Sequence, residues 1–170
     1  ITEDNWRYIF TQAHEECNRQ VKEEGLKDGT AAITAIIYNP PPVTLMSNYH
    51  SAPLTSSGRK KGLAPQRRPM VVIANAGDER AVMCSLHRSN EKVVGEAITH
   101  DHKPDLPSEI ERIRKAGGFV AENRRVNGIL ALSRAIGDIE LQPYVTHEPD
   151  VYFVNDIDPN WDVLVLACDG

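Results

Sequence analysis

Apolar side chains in the first two dozen residues recur at steps of three to four. Trp6, Phe10, Ala13, Cys17 and Val21 share one face of an amphipathic helix predicted over about residues 2–24. Thr2 or Asp4 is placed to cap its start, and Gly25 to take the left-handed conformation that ends it. After Gly29 the period changes. Residues 30–38 (TAAITAIIY), 70–76 (MVVIANA) and 81–86 are β-branched and apolar, the signature of strands. Gly77-Asp78 with Glu79-Arg80 between the last two predicts a tight hairpin. Nearly continuous apolar character predicts strands that are central or covered on both faces. A second helix is predicted from Ser108, with Ser108 and Glu111 as an S-x-x-E capping box and Ile110, Ile113 and Ala116 as its stripe. Gly117-Gly118 ends it. Short β pieces are expected at 119–120 and 125–132, and strands at 151–154 and 163–167. The elements predict helices flanking a largely antiparallel sheet, without regular βαβ alternation.

Residues 39–69 interrupt this order. They hold Pro40, Pro41, Pro42, Pro53, Pro65 and Pro69 and the basic cluster Arg59, Lys60, Lys61, Arg67 and Arg68. A segment so poor in periodic apolar positions is expected to be a long mobile loop. It reads either as a docking segment for an acidic partner or as a solvated insertion without a role.

Composition narrows the class. The 170 residues are 41% hydrophobic, which suits one packed domain, and 19 basic against 24 acidic residues give a net charge of −5. An acidic chain argues against nucleic acid or a membrane surface as partner. No run approaches the roughly 18 apolar residues of a membrane span, and the polar first residues do not read as a secretory signal. Cys17, Cys84 and Cys168 form no metal-ligand spacing and no disulfide framework, so a reducing compartment, cytoplasm or nucleus, is expected. Those within apolar runs are expected to act as small hydrophobes.

Two acidic positions share a local grammar. Asp78 follows Gly77 in a turn, and Asp169 follows the apolar run 163–168 and precedes Gly170. A carboxylate at a strand end has a fixed backbone and a side chain at the rim, which suits a hard cation such as Mg²⁺ or Mn²⁺. The plainer reading is two turn aspartates accepting backbone hydrogen bonds. His100 and His102 flank Asp101, but no third ligand is obvious. His14, His50, His87 and His147 read as polar loop residues. Nucleophile-elbow, P-loop, dinucleotide and zincin motifs are absent from the sequence.

In order, the chain carries Asp28-Gly29-Thr30, Asn75-Ala76-Gly77-Asp78-Glu79-Arg80, Thr99-His100-Asp101-His102-Lys103-Pro104 and Glu111-Arg112-Ile113. Ala116-Gly117-Gly118, Arg125-Val126-Asn127-Gly128, Ser133-Arg134-Ala135-Ile136-Gly137-Asp138, Glu148-Pro149-Asp150-Val151 and Ala167-Cys168-Asp169-Gly170 follow. This series resembles the metal-dependent protein serine/threonine phosphatases of the PP2C (PPM) family over nearly the whole chain apart from 39–69. The resemblance implies an α+β fold, a β-sandwich of two antiparallel sheets flanked by antiparallel helices. It also implies Mg²⁺ or Mn²⁺, two core ions and a third weaker one, with a metal-activated water attacking phosphoserine or phosphothreonine in phosphoprotein substrates. By the same resemblance Asp169 matches a core-metal ligand and Asp78 the ligand of the weaker site. Ser133, Arg134, Gly137 and Asp138 match scaffolding beside the site.

The family's GDSR motif reads Gly77-Asp78-Glu79-Arg80 here, an extra carboxylate. The family's DGHGG motif and its C-terminal metal aspartate have no counterpart in residues 1–170. The chain is therefore expected to be the central part of one such domain, inactive by itself, with edges that the rest of the domain or a partner protein covers. The alternative is a pseudophosphatase, the same fold serving as a structural or regulatory module in an assembly.

Overall fold

The computed structural model describes residues 1–39, 69–87, 92–155, 157 and 161–168, with backbone only at 86 and 87. Its elements are helix α1 (Glu3–Glu23), strands β1 (Ala32–Tyr38), β2 (Met70–Ala76), β3 (Arg80–His87) and β4 (Lys92–Ala97), helix α2 (Pro107–Lys115), and strands β5 (Asp150–Val154) and β6 (Val163–Ala167). They form two three-stranded antiparallel sheets, ordered β1-β2-β5 and β4-β3-β6. This is the α+β arrangement of two sheets with helices. The expected segment 39–69 falls, apart from its end residues, outside the described residues, as do His50 and Asp169.

Alternation along β2 explains the layering. Val71 and Ile73 pack with Ala81 of β3 and Leu164 of β6, in the space between the sheets. Val72 and Ala74 point the other way, to Trp6 and Phe10 of α1. Both faces are thus covered, and the run from Val71 to Ala76 is buried throughout. A third cluster joins Ile113 of α2 to Val126, Ala135 and Val145 of the irregular segment that follows. Burial of each such aliphatic side chain contributes about 1.5–3 kcal/mol. β2 and β3 are the central strands, as their composition predicts, whereas β1 is an edge and β4 and most of β6 are exposed.

Several local expectations need correction. The hairpin at Gly77-Asp78 does not form, because β2 is flanked by β1 and β5 and β3 by β4 and β6, leaving neither strand an edge for the other. Residues 77–79 instead carry the chain from one sheet to the other. The buried stripe of α1 is Trp6, Phe10, His14 and Asn18. Ala13 and Cys17 are exposed, since a strict four-residue step keeps polar His14 and Asn18 inward, where they bond His147 O (3.2 Å) and the Gly137 N–H (3.0 Å). His14 is accordingly a buried helical residue, its imidazole pKa lowered by burial. Helix α2 starts two residues early, with Leu106 rather than Ser108 at the cap and Pro107 inside, so Ser108 makes no capping bond; proline at the first helical position sacrifices no hydrogen bond. Its buried positions are Glu109 and Ile113. Cys84 is half-buried and Cys168 exposed, so only the former packs as a hydrophobe.

Thr2 does cap α1, exchanging bonds with Asn5, and Gly25 takes φ +68°. Among the described residues no helix is long and apolar enough to cross a membrane.

Candidate functional site

The crossover between the sheets is tied down by several hydrogen bonds. Asn75, fully buried at the end of β2, donates from Nδ2 to the carbonyls of Glu79 (3.0 Å), His100 (3.2 Å) and Gly77 (3.3 Å). Gly77 has φ +151°, and a Cβ there would lie 2.2 Å from the Ala31 Cβ. Only glycine fits both the dihedral and the space. The segment Thr99-His100-Asp101-His102-Lys103 wraps this turn. Thr99 Oγ1 accepts from the Ala81 N–H (2.9 Å), and the His102 N–H donates to Gly77 O (2.9 Å). Ser133 Oγ donates to His102 O (2.9 Å).

Asp78 comes out of this frame with its side chain 16% exposed and Lys103 Nζ 2.5 Å from Oδ2. It lines a cavity of about 380 Å³ together with Arg80, Val82, Asp101, Lys103, Ala167 and Cys168. Arg80 holds Asp101 by two bonds, 2.6 and 2.8 Å, and its guanidinium keeps that carboxyl below the usual range. The cavity forms where it does because β3 and β6 pair with Arg80 opposite Ala167. The end of β6 therefore lies beside the turn, and Cys168, the residue before Asp169, is on the cavity wall. Glu79 does not line it. Its Oε2 is buried without a partner, directed toward the Gly77 Cα, and burial, then Asp78, raises its pKa.

Behind the turn runs a chain of ion pairs. His102 is 3% exposed; Gly77 N–H donates to its Nδ1 (3.2 Å), so the ring proton sits on Nε2, 3.0 Å from Asp150 Oδ2. Asp150 Oδ1 accepts from Arg134 (2.8 Å), Arg134 also grips Glu109 (2.8 Å), and Arg112 holds the other Glu109 oxygen (3.1 Å). Burial pushes the Glu109 carboxyl up, but Arg134 and Arg112 outweigh it and hold it below its usual value. Asp150 is held at about 2, chiefly by the His102 hydrogen bond. Arg134 thus ties α2 to β5, while Asp138, in the left-handed region (φ +47°), stands near Asp28 with its carboxyl raised by burial.

The structure therefore brings Asp78 to the cavity, which neither Asp138 nor Glu109 lines. His102 and Asn75 matter to the turn in a way that spacing does not reveal. Helical periodicity tags Glu109 as a surface residue, and the signal that could have found it is the Glu109/Arg112 pair at i, i+3. Among the described residues no group of three or more histidine, cysteine, aspartate or glutamate side chains is placed to hold a metal ion.

Comparison with known proteins bears on the fold and the family. The profile of the family described as Protein phosphatase 2C matches residues 6–170. The chain is 49% identical over 102 residues to protein phosphatase 2C 3 of Arabidopsis thaliana, covering 59% of this chain and 22% of that one. It is 45% identical over 124 residues to the probable protein phosphatase 2C 60 of the same plant, covering 68% and 32%. It thus spans well under half the length of these relatives. In fold it is similar to a C. elegans sex determining protein, with TM-score 0.70, 24% identity and coverage of 99% of this chain and 34% of that one. A serine-threonine phosphatase 2C from Toxoplasma gondii gives TM-score 0.62 and 22% identity, with 94% and 48% covered. The chain belongs to the protein phosphatase 2C family.

Proposed function

We propose that this chain is the central part of a Mg²⁺- or Mn²⁺-dependent protein phosphatase acting on phosphoserine and phosphothreonine, with Asp78 and Asp169 as two of its metal ligands. The observation that carries the proposal is the shared cavity. Asp78 reaches it from the crossover and Cys168 from the end of β6, one residue before Asp169. Carboxylate oxygens at a half-open rim are the donors that hard divalent cations take. The described residues fit such an ion in kind but not in number, since they supply Asp78 without two companions. When bound, divalent cations supply Lewis-acid polarisation of phosphoryl oxygens and a more acidic water. The chain's own contribution is placement. Asn75 and Gly77 fix the Asp78 backbone, Lys103 balances its charge, and Arg80 keeps Asp101 turned to itself.

One observation favours a second reading, an inactive phosphatase-like module: Asp78 is already neutralised by Lys103 at 2.5 Å. The test is hydrolysis of a phosphothreonine peptide by the full-length protein with Mn²⁺. Metal-dependent turnover that Asp169→Asn abolishes supports the enzyme. No turnover under any metal supports the module, and turnover without metal refutes the metal-dependent reading.

A further inference from the structure

We propose that His102 is a positioning residue for the Asp78 metal ligand, acting through the Gly77 amide. The inference rests on the reading of Asp78 as a ligand, and its own evidence is geometric.

Gly77 immediately precedes Asp78, and His102 engages both of its peptide groups. The His102 N–H donates to Gly77 O at 2.9 Å, and the Gly77 N–H donates to His102 Nδ1 at 3.2 Å. The second bond fixes the peptide plane entering Gly77, at φ +151°, where the backbone has no intrinsic preference strong enough to hold it. His102 cannot itself be a ligand in this arrangement. Its Nδ1 accepts the amide proton, its Nε2 donates to Asp150, and its side chain is 4% exposed. Asp150 is anchored in turn by Arg134, which is anchored by Glu109 on α2. The ring is thus clamped from the far side and presents one acceptor to the turn. A carboxylate one residue beyond that acceptor is aimed at the cavity by the sheet on one side and the imidazole on the other.

Two substitutions separate the two ring nitrogens. In His102→Asn the amide oxygen lies as many bonds from Cα as Nδ1 and can accept from Gly77, but nothing reaches Asp150. In His102→Gln the amide reaches as far as Nε2 and can donate to Asp150, but the acceptor at Gly77 is gone. A purely structural role for the histidine would damage both variants alike. A positioning role divides them.

The measurement is Mn²⁺ titration of the full-length protein, followed by electron paramagnetic resonance, with Asp78→Asn defining the binding step that Asp78 contributes. Hydrogen exchange at the Gly77 amide is read alongside. Altering a residue that orients a ligand weakens metal binding by roughly 10- to 100-fold, and that loss is expected in His102→Gln for the Asp78 step. His102→Asn is expected to stay within about threefold of wild type, well below that range, and to keep Gly77 protected from exchange. Wild-type Mn²⁺ binding by folded His102→Gln overturns the proposal and leaves Asp78 a ligand. Equal weakening in both folded variants overturns it too. If Asp78→Asn changes no binding step, the ligand reading fails and the positioning role falls with it. Should His102→Gln not fold, His102→Asn decides: retained Mn²⁺ affinity with a protected Gly77 amide supports the role, and loss of either in the folded protein refutes it.

Discussion

Arg134→Met removes the guanidinium at the middle of the ion-pair chain while keeping most of the volume of the side-chain stem. Arg134 is 14% exposed and Glu109 2%, and the bonds lost are those to Glu109 (2.8 and 3.2 Å), Asp150 (2.8 Å) and Glu148 O (3.2 Å). Glu109 keeps Arg112 at 3.0 Å as a remaining partner. Removing one partner of a buried pair costs about 3–5 kcal/mol, and the surviving Arg112 contact puts this variant near the lower end, about 3 kcal/mol. In urea, where unfolding slopes are roughly 1–3 kcal/mol per molar, the midpoint should fall by about 1–3 M at constant slope. Intrinsic fluorescence reads the transition, since Trp6 is buried against Tyr38. Adding Glu109→Leu removes the stranded charge, and the double variant is expected to be at least as stable as Arg134→Met, because apolar replacement of a buried pair is often neutral or better. A loss below about 1 kcal/mol, the scale of exposed ion pairs, would refute the argument that this network is energetically buried.

Gly77→Ala should destabilise by about 2 kcal/mol or more, since the new methyl meets Ala31 at 2.2 Å and the dihedral is strained; a melting temperature equal to wild type would contradict the crossover geometry. Trp6→Ala should cost about 3–5 kcal/mol in denaturant unfolding, as expected for a large aromatic in a core, and a cost under about 1 kcal/mol would mean α1 is not docked on β2. Acid should act through Asp150, whose carboxyl is held at about 2 against an ordinary 3.8. A depressed carboxylate stabilises the fold fully above its unfolded pKa and loses that contribution as pH falls through the folded one. The stability difference between wild type and Asp150→Asn should therefore be constant above about pH 4 and shrink toward pH 2; a difference flat across that window contradicts the assignment.

Strand positions were legible because β2 and β3 are apolar for a local reason: central strands covered by neighbours need no polar face. Their pairing was not. The Gly-Asp turn reads as a hairpin when only two runs are considered, and the competition of β5 and β6 for the same edges is invisible at short range. The predicted stripe of α1 holds at Trp6 and Phe10 and in part at half-buried Val21, but Ala13 and Cys17 are exposed, because His14 and Asn18 are buried by partners over 100 residues away, at His147 and Gly137. The place of Asp78 after a strand run is what singles it out in the sequence, and in the fold it lines the cavity at the crossover. His102 was noticed for a metal pattern it does not serve, since a histidine's burial and hydrogen-bond partners depend on the tertiary fold. Ser108 mis-signalled the helix start because Pro107 beside it was the stronger determinant.

Tyr38 and Met70 face each other on the last rung of the β1–β2 ladder. That rung lies at the opposite end of β2 from Gly77. The β2 residues from Val71 to Ala76 that separate the two ends are all buried, so a substitution made at the Tyr38–Met70 end reaches the corner that carries Asp78 only through the packed length of the strand.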